Sequence, residues 1–448
     1  MSTISVRNIT GKDGQPVNFP NGIRIAAGTS GGINDIGVMG NLGFGVGICP
    51  GPLPAGMVEM AGTRDPASDN YGNYQFSDGS VCVWVPAFYM KWGTGANGLA
   101  INAIDVKPFS AYASVSAANT AGYSLPRAFY NAGAIQQGFF IDKYECSKNG
   151  TVASSIRGGT PLSTNSANNP ISDLTGAPSN SLGGCIAAAQ TRGSLWHVAF
   201  HDYRYALACL SYAHGQAATG SIWCAWYDGA RVTNYPKGNN NALSDIADTT
   251  LRFTATAYDP GTSSRPALSG SANFFARTTH NGQNCGVADI NGNMWECSPG
   301  LTSDGTSYYV LKATVDKRLL TGGNTLSTDL FGATGIAANY DLLGATYGPL
   351  QARASHQRVG RAEQTFSEAT SGLAWQAANA GLPIDTNTTG TNAFGADLLY
   401  DARPNELCPI ASGNCSNEAN AGVWCVYCNN PRATSNASIG FRAAALLP

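Results

Sequence analysis

The feature that most constrains the fold is the stretch 285–297, with the sequence CGVADINGNMWEC. Val287 and Ile290 belong to a short apolar run that can be buried. An Asn-Gly pair follows, and this dipeptide typically forms a two-residue turn with positive φ. Trp295 then returns the chain to the interior, where a side chain of this size can anchor a core. We therefore predict that the fold is built around Trp295.

Short polar side chains surround this anchor, namely Asp289, Asn291, Asn293 and Glu296. Such side chains commonly bond to nearby backbone groups in turns. The sequence favours this structural role, in particular for Asp289 and Asn293. A calcium site or an active site is the alternative interpretation.

Composition and charge exclude several classes of function. Only 12% of the 448 residues are charged, so we expect few solvated helices and many short strands, turns and ordered loops. A net charge of −2 without a basic run argues against nucleic-acid binding. The sequence contains no run of eighteen apolar residues, so it predicts no membrane span. The first residues lack the apolar core of a secretion signal, so we expect synthesis in a cytoplasm.

The first 48 residues differ from the rest of the chain. They contain a predicted hairpin around 12–14 and Gly-rich stretches, with too few apolar residues for a core of their own. We interpret residues 1–48 as an attachment or oligomerisation arm, with a flexible tail as the alternative. Residues 49–448 are predicted to form the main domain.

Several segments carry the pattern of regular elements. Residues 81–89 are apolar on both faces and predict a buried central strand, preceded by an Asp78-Gly79 hairpin turn. The strand around 139–145 is expected in the same sheet. Further predictions are a helix at 196–212 ended by Gly215, ordered loop at 147–190, a strand at 308–313 and a weak helix at 371–380.

His197 and His201 are four residues apart, and on a helix they would share one face. This spacing is half of a zinc-binding pattern, but no glutamate follows His197 as an HExxH site requires. We favour a capping or loop-bonding role for both histidines.

Three segments resemble, in order, signatures of the formylglycine-generating-enzyme (sulfatase-modifying-factor) family. They are GFFIDKYEC at 138–146, CGVADINGNMWEC at 285–297 and IGFR at 439–442. The resemblance implies an α+β chain with a loop-rich, C-type-lectin-like domain behind a small N-terminal β attachment arm. It also implies a structural role for Gly440, Phe441 and Arg442.

A second resemblance concerns the segments Trp196-His197, YPKGNNN at 235–241 and GNMWE at 292–296, with a helix between the first two. Together they are similar to the distal domain of bacteriophage tail-fibre proteins, which use a lectin-like fold to bind host surfaces. The resemblance implies a receptor-binding protein of the virion that forms a homotrimer. Its partners would be a host polysaccharide or pilus and, through residues 1–48, other tail proteins.

The runner-up is a copper-dependent oxidase of the formylglycine-generating type. That family uses two cysteines separated by four residues, whereas Cys425 and Cys428 are separated by two, which argues against oxidase activity. Structural zinc held by Cys408, Cys415, Cys425 and Cys428 is a further alternative, as is a disulfide among them. We find no hydrolase motif and no repeat of fixed period, and we expect neither a cofactor nor a metal.

Neutral loops rich in Asn, Ser, Thr, Tyr and Trp suit adaptable recognition with rigid aromatic anchors. We predict a receptor-binding role for Trp424, Tyr427, Asn429, Asn430, Arg432 and Asn436, with Trp223, Trp226 and Tyr227 as a second aromatic cluster. The alternative is that the tryptophans belong to the core. A purely structural particle protein is the third hypothesis for the whole chain.

Overall fold

The structure is a computed structural model that describes residues 35–230, 234–258, 265–321, 329–344, 356–361, 381–382, 385–387 and 394–447. Within these ranges the chain is mainly β-sheet, with twenty-two short strands and four α-helices. The predicted hairpin around 12–14 and the predicted helix at 371–380 lie outside the described residues.

The strands in chain order are β1 (Met57–Glu59), β2 (Asn73–Phe76), β3 (Val81–Pro86), β4 (Phe88–Trp92), β5 (Ile104–Pro108), β6 (Tyr130–Asn131), β7 (Ala134–Ile135), β8 (Gly138–Asp142), β9 (Ser147–Asn149), β10 (Val152–Ser154), β11 (Trp196–Val198), β12 (Trp295–Cys297), β13 (Leu301–Ser303), β14 (Tyr308–Leu311), β15 (Tyr340–Gly344), β16 (His356–Arg361), β17 (Asp385–Asn387), β18 (Leu398–Asp401), β19 (Ile410–Ala411), β20 (Val426–Cys428), β21 (Ile439–Gly440) and β22 (Ala443–Ala445). The α-helices are α1 (Val115–Thr120), α2 (Leu182–Gln190), α3 (His201–Ala217) and α4 (Gly332–Asn339).

Two sheets dominate the architecture. The first has the order β1-β2-β3-β8-β22-β11, and the second has the order β17-β16-β18-β20-β19-β12-β21. A three-stranded sheet, β13-β14-β15, and three two-stranded pairs, β4-β5, β6-β7 and β9-β10, complete the described part. The chain passes from the second sheet to the first between β21 and β22, that is, through Phe441 and Arg442.

The predicted central strand is confirmed. β3 pairs antiparallel with β2 across the Asp78-Gly79 turn and with β8 on its other side. Gly79 adopts φ 88°, a value that glycine reaches without strain. Trp84 of β3 and Phe140 of β8 are fully buried, with ring centroids 4.7 Å apart. The strand predicted at 308–313 is present as β14 and is two residues shorter.

The main helix begins later than predicted. Residues 196–198 form β11, which pairs antiparallel with β22, so His197 lies on a strand and shares no helical face with His201. The helix also continues past Gly215 to Ala217. A side chain at Gly215 would meet the Trp226 ring at 3.0 Å, so this glycine makes room for the tryptophan.

Other segments also differ from the sequence-based expectations. Residues 147–190, expected as loop, contain β9, β10 and α2. In the turn before Trp295 positive φ occurs at Asp289, Gly292 and Asn293 but not at Asn291, so the Asn-Gly pair does not form the expected two-residue turn. Trp295 itself opens β12, which pairs with β19 and β21.

Part of the predicted arm packs onto the main body. Ile36, Phe44 and Val46 are fully buried, and the Phe44 ring stacks on His214 of α3 at 5.4 Å. The Nδ2 of Asn281 also donates to the Phe44 carbonyl at 2.9 Å. Residues 35–48 therefore contribute to the core, and attachment by residues 1–34 stays a prediction.

A buried ionic network surrounds the crossing between the two large sheets. The Arg442 side chain is fully buried, and its Nε donates to Glu296 Oε1 at 2.8 Å. Its Nη1 donates to the Lys143 carbonyl at 2.9 Å, and its Nη2 donates to the Ala288 carbonyl. Glu296 Oε2 accepts a second charged bond from Arg204 of α3 at 2.7 Å. One arginine thus joins β12, the end of β8 and the turn before Trp295.

We expect Arg442→Met to lower the free energy of unfolding by about 3–5 kcal/mol, because it leaves buried acceptors without their donor. Urea titration followed by tryptophan fluorescence measures the change. The control is Arg64→Met, which removes the half-exposed ion pair with Glu59 and should cost at most about 1 kcal/mol. Equal losses in the two variants would show that the buried network does not hold the fold together.

Candidate functional site

The loop between β20 and β21, residues 429–438, forms one wall of the candidate site, and we call it the terminal loop. Its backbone is bonded to two other segments of the chain. The Cys408 N–H donates to the Asn430 carbonyl at 2.9 Å, and the Leu182 and Gly183 N–H groups donate to the Thr434 and Arg432 carbonyls at 3.0 and 2.9 Å. These bonds fix the loop before any partner binds.

Arg432 holds the terminal loop by its side chain. Its Nε and Nη2 donate to both carboxylate oxygens of Glu406 at 2.9 Å, and its Nη1 lies 3.3 Å from Asp329. Arg432 is mostly buried, and a direct contact with a receptor stays a prediction for this residue. The fork of a guanidinium suits such bidentate pairing, and the pairing turns the side chain inward.

The exposed side chains of the terminal loop are small and uncharged. They belong to Pro431, Ala433, Ser435 and Asn436. Asn436 Oδ1 accepts from the Ser438 N–H and hydroxyl, each at 2.8 Å, which orients this amide. Asn429 and Asn430 are half-buried, and Asn430 Nδ2 donates to Asn429 Oδ1 at 2.6 Å. The loop therefore presents oriented neutral groups with little charge.

A groove of about 520 Å³ lies between the terminal loop and α2. Ala433 and Arg432 line one side, and Ser179, Gly183 and Gln190 line the other. The sequence did not indicate this second wall, because residues 147–190 were expected to be loop. The serine cap of α2 at Ser181, followed by alanines, was a signal that could have predicted the helix.

Trp424 lies in the core, which is the alternative interpretation of this tryptophan, and a receptor contact by it stays a prediction. It is 6% exposed, and its ring lies among Trp92, Tyr212 and Phe394, with centroid distances of 5.3–6.0 Å. Tyr427, three residues later, is half-buried and packs against Trp295 at 4.3 Å and Tyr400 at 5.6 Å.

The second aromatic cluster is split between core and surface. Trp226 is buried, and its Nε1 donates to the Thr279 carbonyl at 3.0 Å, so this ring packs inside and its receptor contact stays a prediction. Trp223 and Tyr227 are half-buried, and the neighbouring Ile222 is 79% exposed. Trp226 packs with Ala218 and Cys224, a different cluster from that of Trp424.

Asn293 and one carboxylate oxygen of Asp289, both near Trp295, are bonded to other parts of the fold, whereas Asp289 Oδ1 and Asn291 Oδ1 are buried without a hydrogen-bond partner among the described residues. Asn293 Oδ1 accepts from the Ala267 N–H at 2.6 Å and from Asn239 Nδ2 at 3.0 Å. Asp289 Oδ2 accepts from the Gly270 N–H at 2.6 Å, and burial raises the pKa of Asp289. Among the described residues no group of three His, Cys, Asp or Glu side chains is arranged to hold a metal ion. These side chains therefore fit the structural role better than a calcium site.

Gly440, Phe441 and Arg442 lie at the crossing between the two large sheets. Phe441 is fully buried, and a side chain at Gly440 would approach the Leu162 carbonyl to 2.7 Å. These three positions, with Trp295, Asp289 and Asn293, belong to the interior scaffold behind the terminal loop.

The twelve cysteines are buried free thiols. Burial raises the pKa of Cys428. The sulfur atom of Cys408 lies 3.7 Å from that of Cys297, which is outside the predicted zinc set. The two-residue separation of Cys425 and Cys428 differs from that of the copper site that the family resemblance implied.

Comparison with known proteins gives a weak likeness. No family model and no curated protein matches the chain. Among solved structures, it is similar to the Major Tropism Determinant M1 Variant at 11% identity and TM-score 0.31, over 82% of this chain and 63% of that one. It is also similar to the U1 Variant at 13% identity and TM-score 0.31, over 94% of this chain and 80% of that one.

The chain thus spans less than two thirds of the M1 variant. A TM-score of 0.31 does not establish a shared fold. In the described ranges, no helix is both long and apolar enough to cross a membrane.

We expect Trp424→Ala to lower the free energy of unfolding by about 3–5 kcal/mol, because it leaves a cavity among large aromatic rings. Thermal and urea unfolding measure this loss. The matched control is Trp223→Ala, whose half-buried ring should cost about 1 kcal/mol. If both variants are as stable as the parent chain, Trp424 is not a core residue.

Proposed function

We propose that the chain is a bacteriophage tail-fibre or tail-tip receptor-binding protein with a C-type-lectin-like domain. It recognises a polysaccharide or pilus on the host surface, and it performs no reaction there. The terminal loop and the groove beside α2 form the contact surface. Asn429, Asn430, Asn436 and the half-buried Tyr427 of the predicted set lie on or beside it, together with Pro431, Ala433 and Ser435.

The observation that carries this proposal is the fixed terminal loop. Backbone bonds to residues 182–183 and 406–408 order the loop in the free protein. A preordered loop loses little conformational entropy on binding, which favours affinity. Its exposed groups are neutral, so contact with hydroxyl-rich or amide-rich surfaces needs little desolvation of charge.

The half-buried Trp223 and Tyr227 form a second proposed contact. They lie on the loop after α3, beside the exposed Ile222. Aromatic rings with one open face are suited to packing against a sugar ring or a peptide side chain.

We predict that Ala433→Trp abolishes adsorption to host cells, because a bulky ring fills the groove and covers the terminal loop. Purified chain is incubated with a panel of bacterial strains, and bound protein is measured on intact cells and on stripped surface fractions. The control is Ala117→Trp, at an exposed position of α1, which should adsorb like the parent chain. Melting temperatures of both variants should be close to that of the parent.

Unchanged adsorption of a folded Ala433→Trp variant would rule out the terminal loop as the contact surface. Absence of adsorption by the parent chain to every strain that the particle infects would instead favour a purely structural particle protein.

We further propose that the chain acts in the virion as a homotrimer joined to other tail proteins through the predicted arm 1–48, of which residues 35–48 pack on the main body. Fibres are commonly threefold, and closed symmetry lets three copies present their terminal loops together. Light scattering of the full-length chain should give three times the chain mass. A stable monomer at micromolar concentration would contradict the trimer.

A further inference from the structure

A second cavity, of about 600 Å³, lies away from the terminal loop, and we call it the cationic cavity. Its walls come from the residues after β8, from Asp69, and from Arg157, Ser221 and the segment 273–277. A volume of this size accommodates one or two sugar residues, since small-molecule pockets span about 300–1,000 Å³.

Lys143 places a positive charge in the inner wall. The residue is only 4% exposed, and its Nζ donates to Asn73 Oδ1 and to the Asn284 carbonyl, each at 2.6 Å. A third acceptor, the Asp69 carbonyl oxygen, lies 3.5 Å away, so all three partners are neutral oxygens. Burial lowers the pKa of Lys143 to about 8, because it disfavours the charged ammonium. An incoming oxyanion would offset this cost.

Arg157 supplies an open pair of donors at the rim. It is exposed, and its guanidinium carbon lies 4.8 Å from the centre of the Phe275 ring. Within the described part of the chain its hydrogen bonding is limited to Nε, which donates to the Gly270 carbonyl at 3.2 Å. Nη1 and Nη2 are therefore available as a planar fork, the geometry that matches a carboxylate or phosphate.

The other charged groups of the lining already have partners. Arg277 Nη1 donates to Asp248 Oδ2 at 2.7 Å, so its charge is offset locally. The Asp69 carboxylate accepts from Asn284 Nδ2 at 2.9 Å. The lining itself carries three cations, Lys143, Arg157 and Arg277, and one carboxylate, Asp69. Outside the lining, Asp248 pairs with Arg277, and the buried Asp289 lies near Arg157.

Apolar surface at the rim complements these donors. Phe274 is 46% exposed, with the Arg277 guanidinium carbon 4.4 Å from its ring centroid, and Ile222, beside the lining residue Ser221, is 79% exposed. An oxyanion next to an apolar ring face is the pattern that an acidic sugar presents, because one face of a pyranose is mainly C–H.

We propose that the cationic cavity is a subsite for an anionic sugar residue, one that carries a carboxylate or a phosphate on a pyranose ring. Arg157 binds the oxyanion through Nη1 and Nη2. Lys143 adds positive charge from the inner wall of the cavity, and Phe274 contacts the pyranose ring. This assignment rests on the proposed receptor-binding function and specifies part of its ligand.

The test uses the full-length chain and three probes: glucuronic acid, glucose 6-phosphate and neutral glucose. Saturation-transfer NMR at millimolar sugar detects binding to the parent chain, to Arg157→Gln and to Lys148→Gln. Lys148 is an exposed cation paired with Asp173, so its variant makes the same change in net charge outside the cavity. We expect at least one anionic probe to bind and glucose not to bind. Arg157→Gln should weaken that binding about 10- to 100-fold, and Lys148→Gln should leave it unchanged.

The two anionic probes decide which oxyanion the subsite prefers, and binding of either supports the proposal. Equal weakening by Lys148→Gln, or equal binding of glucose, would overturn it. Lack of sugar binding by a chain that still adsorbs to cells would overturn the subsite and leave the proposed function standing. If the parent chain binds the anionic sugar but does not adsorb to cells, the proposed function is overturned and the subsite stands.

Discussion

The structure depends on one buried contact between Arg442 and Glu296. Arg442 lies where the chain leaves one large sheet, at β21, and enters the other, at β22. Its guanidinium bonds to β12 through Glu296 and to the end of β8 through the Lys143 carbonyl. Because a buried charge without a partner is very costly, these contacts restrict the closing strand to one register. A related pair, Arg192 with Asp142 at 2.7 Å, joins the segment after α2 to the end of β8.

The position of the terminal loop follows from this crossing. The loop runs between β20 and β21, both in the second sheet, and β21 ends two residues before Arg442. Arg432 then ties its middle to Glu406 and Asp329. Around the terminal loop the charged side chains of Arg432, Glu406 and Asp329 are thus paired with one another, and neutral side chains remain exposed. Such a division suits a surface that must vary or adapt without disturbing the fold.

The sequence predicted the positions of the strands more accurately than it predicted which side chains are exposed. The β2–β3 hairpin and the pairing of β3 with β8 were predictable, because a turn signal and two apolar runs lie close together in the chain. The pairing of Trp196–Val198 with Ala443–Ala445 was not, because the partners are about 250 residues apart and an aromatic run of that kind also fits a helix. Tertiary pairing overrode the local pattern there.

The candidate site was also predictable only in part, because partners that are distant in the sequence decide which side chains are buried. Asn429, Asn430 and Asn436 lie on or near the surface, as amides in a loop usually do. Trp424 and Arg432 were assigned to the surface because tryptophan and arginine are frequent in binding sites. Both are buried by partners that are distant in sequence, Trp92 and Tyr212 for the first and Asp329 for the second.

Native-state hydrogen exchange tests the role of the buried crossing most directly. If Arg442 and Glu296 hold the two sheets together, the amides of β12, β21 and β22 should exchange only through global unfolding, with one common free energy. This account would be contradicted if the amides of β21 and β22 exchanged rapidly through local opening while those of β3 and β8 stayed protected.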